Sequence, residues 1–73
     1  MESLGAAVGV AIRNRRTAMG LSQEKLGEVA GLDRTYISGV ERGVRNPTIS
    51  SLGRIAAALQ CDLSEIVIEA ESA

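Results

Sequence analysis

The sequence predicts an all-α fold of five short helices. Apolar residues recur at intervals of three and four through most of the chain, the spacing of one helix face. Ser22, Asp33, Thr48 and Asp62 stand ahead of such runs and Gly20, Gly31 and Gly43 behind them, as helix starts and stops do. Tyr36 is the sole aromatic residue, so Leu, Ile, Val, Met and Ala must fill the core.

The 73 residues are expected to form one domain, 1–73. A single core at that size supplies only a few kcal/mol, so oligomerisation helps. A second, ligand-sensing domain has no room, and no small-molecule effector is expected.

The first helix should span residues 4–19. Leu4, Val8, Ala11, Ile12 and Met19 face inward, and Gly20 stops the helix. Gly5 and Gly9 should weaken its first turns and let them fray. Arg13, Asn14, Arg15 and Arg16 cluster in its second half; the bland reading is a solvated face favoured near the C-terminal dipole end, and the sharper one sets Arg16 apart from its neighbours.

Residues 23–42 hold two helices and a glycine-centred turn, a helix-turn-helix pattern. Leu26, Ala30, Leu32, Ile37 and Val40 supply its apolar seam, and Gly27 lies where the helices cross. Gly31 can take the positive φ of the turn. Ser22 caps the first of the two helices while Leu21 staples onto Leu26; Asp33 and the Leu32–Ile37 staple repeat the device for the second. Arg34, Thr35, Ser38 and Gly39 face outward at the start of that second helix. Tyr36 sits at the edge, turned about 100° from Ile37.

Beyond Gly43 comes a loop, 44–48, in which Pro47 disfavours helix for Asn46 and Thr48 caps the next helix. That fourth helix should cover residues 49–59, with Ile49, Leu52, Ile55, Ala56 and Leu59 inward and Ser50, Ser51 and Arg54 outward. Asp62 with Glu65 reads as a capping box and Cys61 with Ile66 as a staple, placing a short fifth helix at 63–69. Leu63, Ile66, Val67 and Ile68 offer more apolar surface than such a helix can bury, which suggests a dimer contact. Residues 70–73 read as a frayed acidic tail.

All eight basic residues lie in residues 1–54 against five acids, a balance of +3, whereas residues 55–73 carry −4. The net charge of −1 therefore hides a basic end suited to phosphate and an acidic far end. The lone Cys61 allows no internal disulfide and reads as a buried structural thiol in a reducing, cytoplasmic compartment. The apolar run 4–12 is too short for a membrane span and has no basic residue ahead of it, so neither a signal peptide nor a membrane partner is expected. With no histidine, no second cysteine and no glycine-rich phosphate loop, an enzyme is excluded, and neither metal nor cofactor is expected.

The segments Gly-Leu-Ser-Gln-Glu-Lys-Leu (20–26) and Ile-Ser-Gly-Val-Glu-Arg-Gly (37–43) resemble the Cro and phage-repressor class of helix-turn-helix DNA-binding domains, the XRE-like family with its compact five-helix, lambda-repressor-like fold. Within it, Leu-Asp-Arg-Thr-Tyr-Ile-Ser-Gly-Val-Glu-Arg-Gly-Val-Arg-Asn-Pro-Thr (32–48) is most similar to the controller proteins of bacterial restriction-modification systems.

The resemblance implies that Arg16 pairs with Glu41 and locks the first helix to the third. It implies that Gln23 clamps a phosphate and that Arg45 contacts bases or, equally, a phosphate. In such motifs the second helix enters the major groove. Arg34 has the fork to grip guanine O6 and N7, a pairing of about 1–3 kcal/mol. Thr35 can bond a base or touch a thymine methyl, Ser38 a base or a phosphate, and Tyr36 is assigned to DNA over the core. Arg42 and Asn46 are further phosphate candidates. Gly39 stands where relatives often carry a longer reading side chain, so readout by this helix should be sparse and helped by DNA shape.

The expected protein is thus a homodimeric bacterial regulator on a near-palindromic double-stranded operator, controlling a restriction-modification operon. RNA polymerase is a further partner that an exposed acidic surface could meet. The rival reading is an antitoxin whose main partner is a toxin protein.

Overall fold

The computed structural model describes residues 3–72. Five helices follow in order: α1 (Leu4–Ala18), α2 (Gln23–Ala30), α3 (Arg34–Glu41), α4 (Ile49–Ala58) and α5 (Leu63–Ser72), with no strand among the described residues. Side-chain caps start four of them. Ser3 Oγ accepts from the Ala6 N–H at 3.1 Å, Ser22 Oγ from Lys25 at 3.0 Å, Asp33 Oδ1 from Thr35 at 3.3 Å and Thr48 Oγ1 from Ser51 at 3.0 Å. Each bond satisfies a backbone donor that the helix itself leaves free.

Ile12, Leu26, Ile37, Val40, Ile55 and Ile66 are the largest fully buried side chains, so every helix contributes to one core. Leu21, Leu32, Tyr36, Cys61 and Leu63 pack against its margin. The α1 helix lies against α3 and α5, and α2 lies against α3 and α4. At the α1–α3 crossing a Cβ on Gly9 would stand 2.3 Å from the Val40 carbonyl oxygen and 2.7 Å from that of Glu41. Gly9 is therefore a contact point between two backbones, and α1 is helical from Leu4 onward rather than frayed there.

Three residues expected inside are exposed: Leu4, Met19 and Ile49. Leu4 and Ile49 are the first residues of their helices, and helical side chains lean toward the N-terminus, so both project past the end of the bundle. Met19 is the C-cap of α1 and no longer follows the helical face. By contrast Ile66, expected at a dimer contact, is completely buried in the core of the single chain.

The C-terminal helix also corrects the sequence reading. It continues through Ser72 with Ala70 buried, so 70–72 is a packed turn and not a frayed tail; Ala73 lies outside the described residues. The capping box is not formed. The Glu65 N–H donates to the Asp62 backbone carbonyl, and among the described residues the Asp62 side chain makes no hydrogen bond. Glu65 instead lies 3.4 Å from Arg15, which also binds Glu69. The guanidinium ties α1 to α5, and its hydrogen bond to Glu69 raises the Arg15 pKa. Cys61 is half-buried beside this pair; desolvation raises its thiol pKa, with Arg15 opposing, so the thiol stays protonated at neutral pH.

α4 ends on a paired turn in which the Cys61 N–H reaches the Ala56 carbonyl and the Gln60 N–H that of Ala57, each at 3.0 Å. This closure needs a left-handed residue, and Gln60 supplies it at φ 58°. A side chain there is strained. Gln60→Gly should raise stability by about 1 kcal/mol, read as a higher urea midpoint at unchanged slope; a lower midpoint would refute the strain.

Candidate nucleic-acid interface

The surface is built on two helix starts. Ser22 turns the chain into α2 so that Gln23 opens it, and Asp33 turns the chain into α3 so that Arg34 and Thr35 occupy its exposed first turn. Between them Gly31 takes φ 72°, while the Leu32 N–H reaches the Gly27 carbonyl at 2.8 Å. A Cβ on Gly27 would lie 2.6 Å from the Leu32 carbonyl oxygen, so the bare glycine lets α3 start tight against α2. Ser38, one turn further along α3, is half-buried. Arg42, the C-cap of α3, is exposed, as are Arg45 and Asn46 in the following loop.

A buried ionic network holds these helices from beneath. Arg16 Nε donates to Glu41 Oε2 at 2.6 Å and Nη2 to Oε1 at 3.0 Å, and the two side chains retain only 11% and 2% of their accessible surface. Two parallel bonds from a planar guanidinium make this the strong form of ion pair. Arg16 Nη1 also donates to the Leu21 carbonyl at 2.8 Å, and Gln23 Nε2 to Glu41 Oε1 at 3.1 Å. The network thus joins α1, the α1–α2 turn, α2 and α3. The bond to Glu41 raises the Arg16 pKa against the opposing effect of burial.

Gln23 therefore has one amide proton committed inward and one left for an external acceptor. The exposed Asn46 side chain makes no hydrogen bond among the described residues and lies beside the first turn of α1, its Oδ1 2.9 Å from where a Cβ on Gly5 would stand. Tyr36 is divided between two environments. Its ring packs partly on the core, and the Arg45 guanidinium lies over it at 5.2 Å from the centroid, a cation–π distance.

The charge pattern separates the two ends. Arg15, Arg16 and Lys25 are paired with acids, whereas Arg13, Arg34, Arg42 and Arg45 form no ion pair among the described residues. Arg54 sits apart, its Nη1 3.5 Å from the Gly31 carbonyl. Cations released from internal pairing are the ones able to displace counterions from a polyanion. No helix among the described residues is long and apolar enough to cross a membrane.

Sequence reasoning missed three parts of this surface: the Gln23–Glu41 bond, the Arg45–Tyr36 stack and the crossing at Gly9. Only the last had a partial signal: Gly9, Ile12 and Arg16 share one helical stripe, which puts Gly9 on the inner face without naming the backbone it meets.

Two helices at a tight glycine turn, the second presenting free basic and hydroxyl groups from its first turn, define the helix-turn-helix class of DNA-binding domain. The helix-turn-helix family model matches residues 12–66, and the chain belongs to that family. The control protein C.SmaI of Serratia marcescens is 45% identical over 56 residues, covering 77% of this chain and 67% of that protein. The restriction-modification controller protein C.AhdI from Aeromonas hydrophila is 44% identical with a TM-score of 0.82, over 84% of this chain and 92% of that one. The clp gene regulator ClgR from Corynebacterium glutamicum superposes with a TM-score of 0.93 at 28% identity, over 97% of this chain and 76% of that one. This chain is accordingly a DNA-binding helix-turn-helix transcription regulator close to restriction-modification controller proteins.

Proposed function

We propose that the protein acts as a homodimer on a near-palindromic operator in the bacterial cytoplasm and controls a restriction-modification operon. It activates from one site and represses its own gene when a second dimer binds. The observation that carries this reading is the outer face of α3, where Arg34 and Thr35 are exposed on a capped first turn and Arg45 overhangs Tyr36. The likeness to the C.SmaI and C.AhdI controllers supports the operon assignment.

Arg34, Thr35, Ser38 and Arg45 read bases, Tyr36 supports Arg45 at the DNA surface, and Gln23, Arg42 and Asn46 meet phosphates. The second copy docks on α5. Val67 and Leu63 are half-buried there and Ile68 is 61% exposed, so these three form the contact and Ile66 does not. Such a dimer sets two α3 helices roughly 34 Å apart, one helical turn of DNA.

Selection of genomic fragments at about 150 mM salt, followed by footprinting, tests the reading. The expected product is a protected two-half-site sequence upstream of the protein's own gene, beside a nuclease and a methyltransferase. Arg34→Ala should lose roughly tenfold base preference at one position per half-site. Arg42→Ala should weaken all sequences alike; it serves better than Gln23→Ala, which also disturbs the buried network. A lone half-site footprint would refute the dimer, and equal loss of specific and scrambled DNA by Arg34→Ala would refute base reading.

A further inference from the structure

Gly39 is a glycine in the interior of α3, where nothing in the helix backbone needs one, on the side of the helix that carries Tyr36 one turn earlier. It is nevertheless buried, because Arg45 lies across it. The Val44 and Arg45 N–H groups both donate to the Gly39 carbonyl, at 3.0 and 3.1 Å, so the root of Arg45 is pinned to that one peptide group. From there the stem runs back over the helix. A Cβ on residue 39 would stand 2.8 Å from Arg45 Cγ, 3.0 Å from Cδ and 3.4 Å from Cβ. The guanidinium ends above the Tyr36 ring. The arginine stem thus occupies the notch that a side chain at position 39 would fill.

We propose that Gly39 is a positioning residue: its missing side chain seats Arg45 on Tyr36 and thereby sets which base Arg45 reaches. This rests on the operator-binding reading above. The three atoms nearest a Cβ at 39 all belong to the stem of an exposed arginine, so the fold tolerates a methyl there while Arg45 is lifted from the ring. The glycine is then a determinant of specificity that never touches DNA. Controllers with larger residues at this position would place the loop arginine elsewhere even with the rest of α3 unchanged.

The test has a DNA-free arm and a DNA arm. In the free protein, NMR of wild type should show the Arg45 side-chain protons shifted upfield by the Tyr36 ring, and the shift should vanish in both Gly39→Ala and Tyr36→Leu. A shift retained in Gly39→Ala overturns the proposal. On the selected operator, Gly39→Ala should lose roughly fivefold or more in base preference at the position that Arg45→Ala also loses, with preference at the Arg34 position unchanged. The double variant should be no worse than Arg45→Ala alone. Additive losses would mean that the new methyl blocks DNA directly, and that outcome also overturns the positioning role. If wild type selects no operator while the upfield shift behaves as stated, the operator reading fails, and the specificity role fails with it.

Discussion

Glu41→Ala is expected to lower the unfolding free energy by about 3 kcal/mol, the larger part of what a core of this size supplies. The carboxylate is almost wholly buried and accepts from both Arg16 and Gln23. Removing it strands a guanidinium that desolvation already disfavours and leaves the Gln23 amide without its inward partner. The melting temperature should fall by roughly 12–24 °C. A loss under about 1 kcal/mol would mean that the pair is screened like a surface pair. Replacing both partners, as Arg16→Met with Glu41→Leu, should recover part of the loss, because an apolar pair avoids the stranded charge. Recovery stays incomplete: the Leu21 carbonyl and the Gln23 amide still lose the partners this network gives them.

Gly9→Ala should destabilise the protein by about 2 kcal/mol net, although alanine is the better helix former by about 1 kcal/mol. The added methyl would meet the carbonyl oxygens of Val40 and Glu41 at 2.3 and 2.7 Å. Those are backbone atoms at the end of α3, so no rotamer change relieves the clash and the two helices must separate. Gly53→Ala is the matched control. A Cβ there has nothing within 4 Å, so only helix propensity acts, and stability should rise by about 1 kcal/mol. Chemical denaturation of both variants decides the matter: a rise in stability for Gly9→Ala as well as for Gly53→Ala would mean that the α1–α3 approach is looser than the geometry requires.

Much of the fold was legible because its signals are local. Capping side chains at Ser22, Asp33 and Thr48 and the left-handed turn at Gly31 act within a few residues of themselves, and Leu26, Ile37, Val40 and Ile55 repeat at a helical period that survives packing. Five helices, the motif at 23–42 and the exposed first turn of α3 all follow from such local signals. The chain's resemblance to a family also paired Arg16 with Glu41, a contact that spacing alone does not specify.

The remaining features depend on which backbones meet in three dimensions. Gly9 looks like a weak point of one helix until α3 is laid across it, and Gly39 looks like an absent reader until the loop folds Arg45 over it. Ile66 has the same local pattern as its neighbours on α5, yet α5 turns that side inward and leaves Ile68 outside. The Asp62–Glu65 capping box gives way because Glu65 lies beside Arg15, from the far end of the chain. Local periodicity fixes a helix and its faces, but whether a face meets a neighbouring backbone, a distant charge or solvent is set by contacts between residues far apart in sequence.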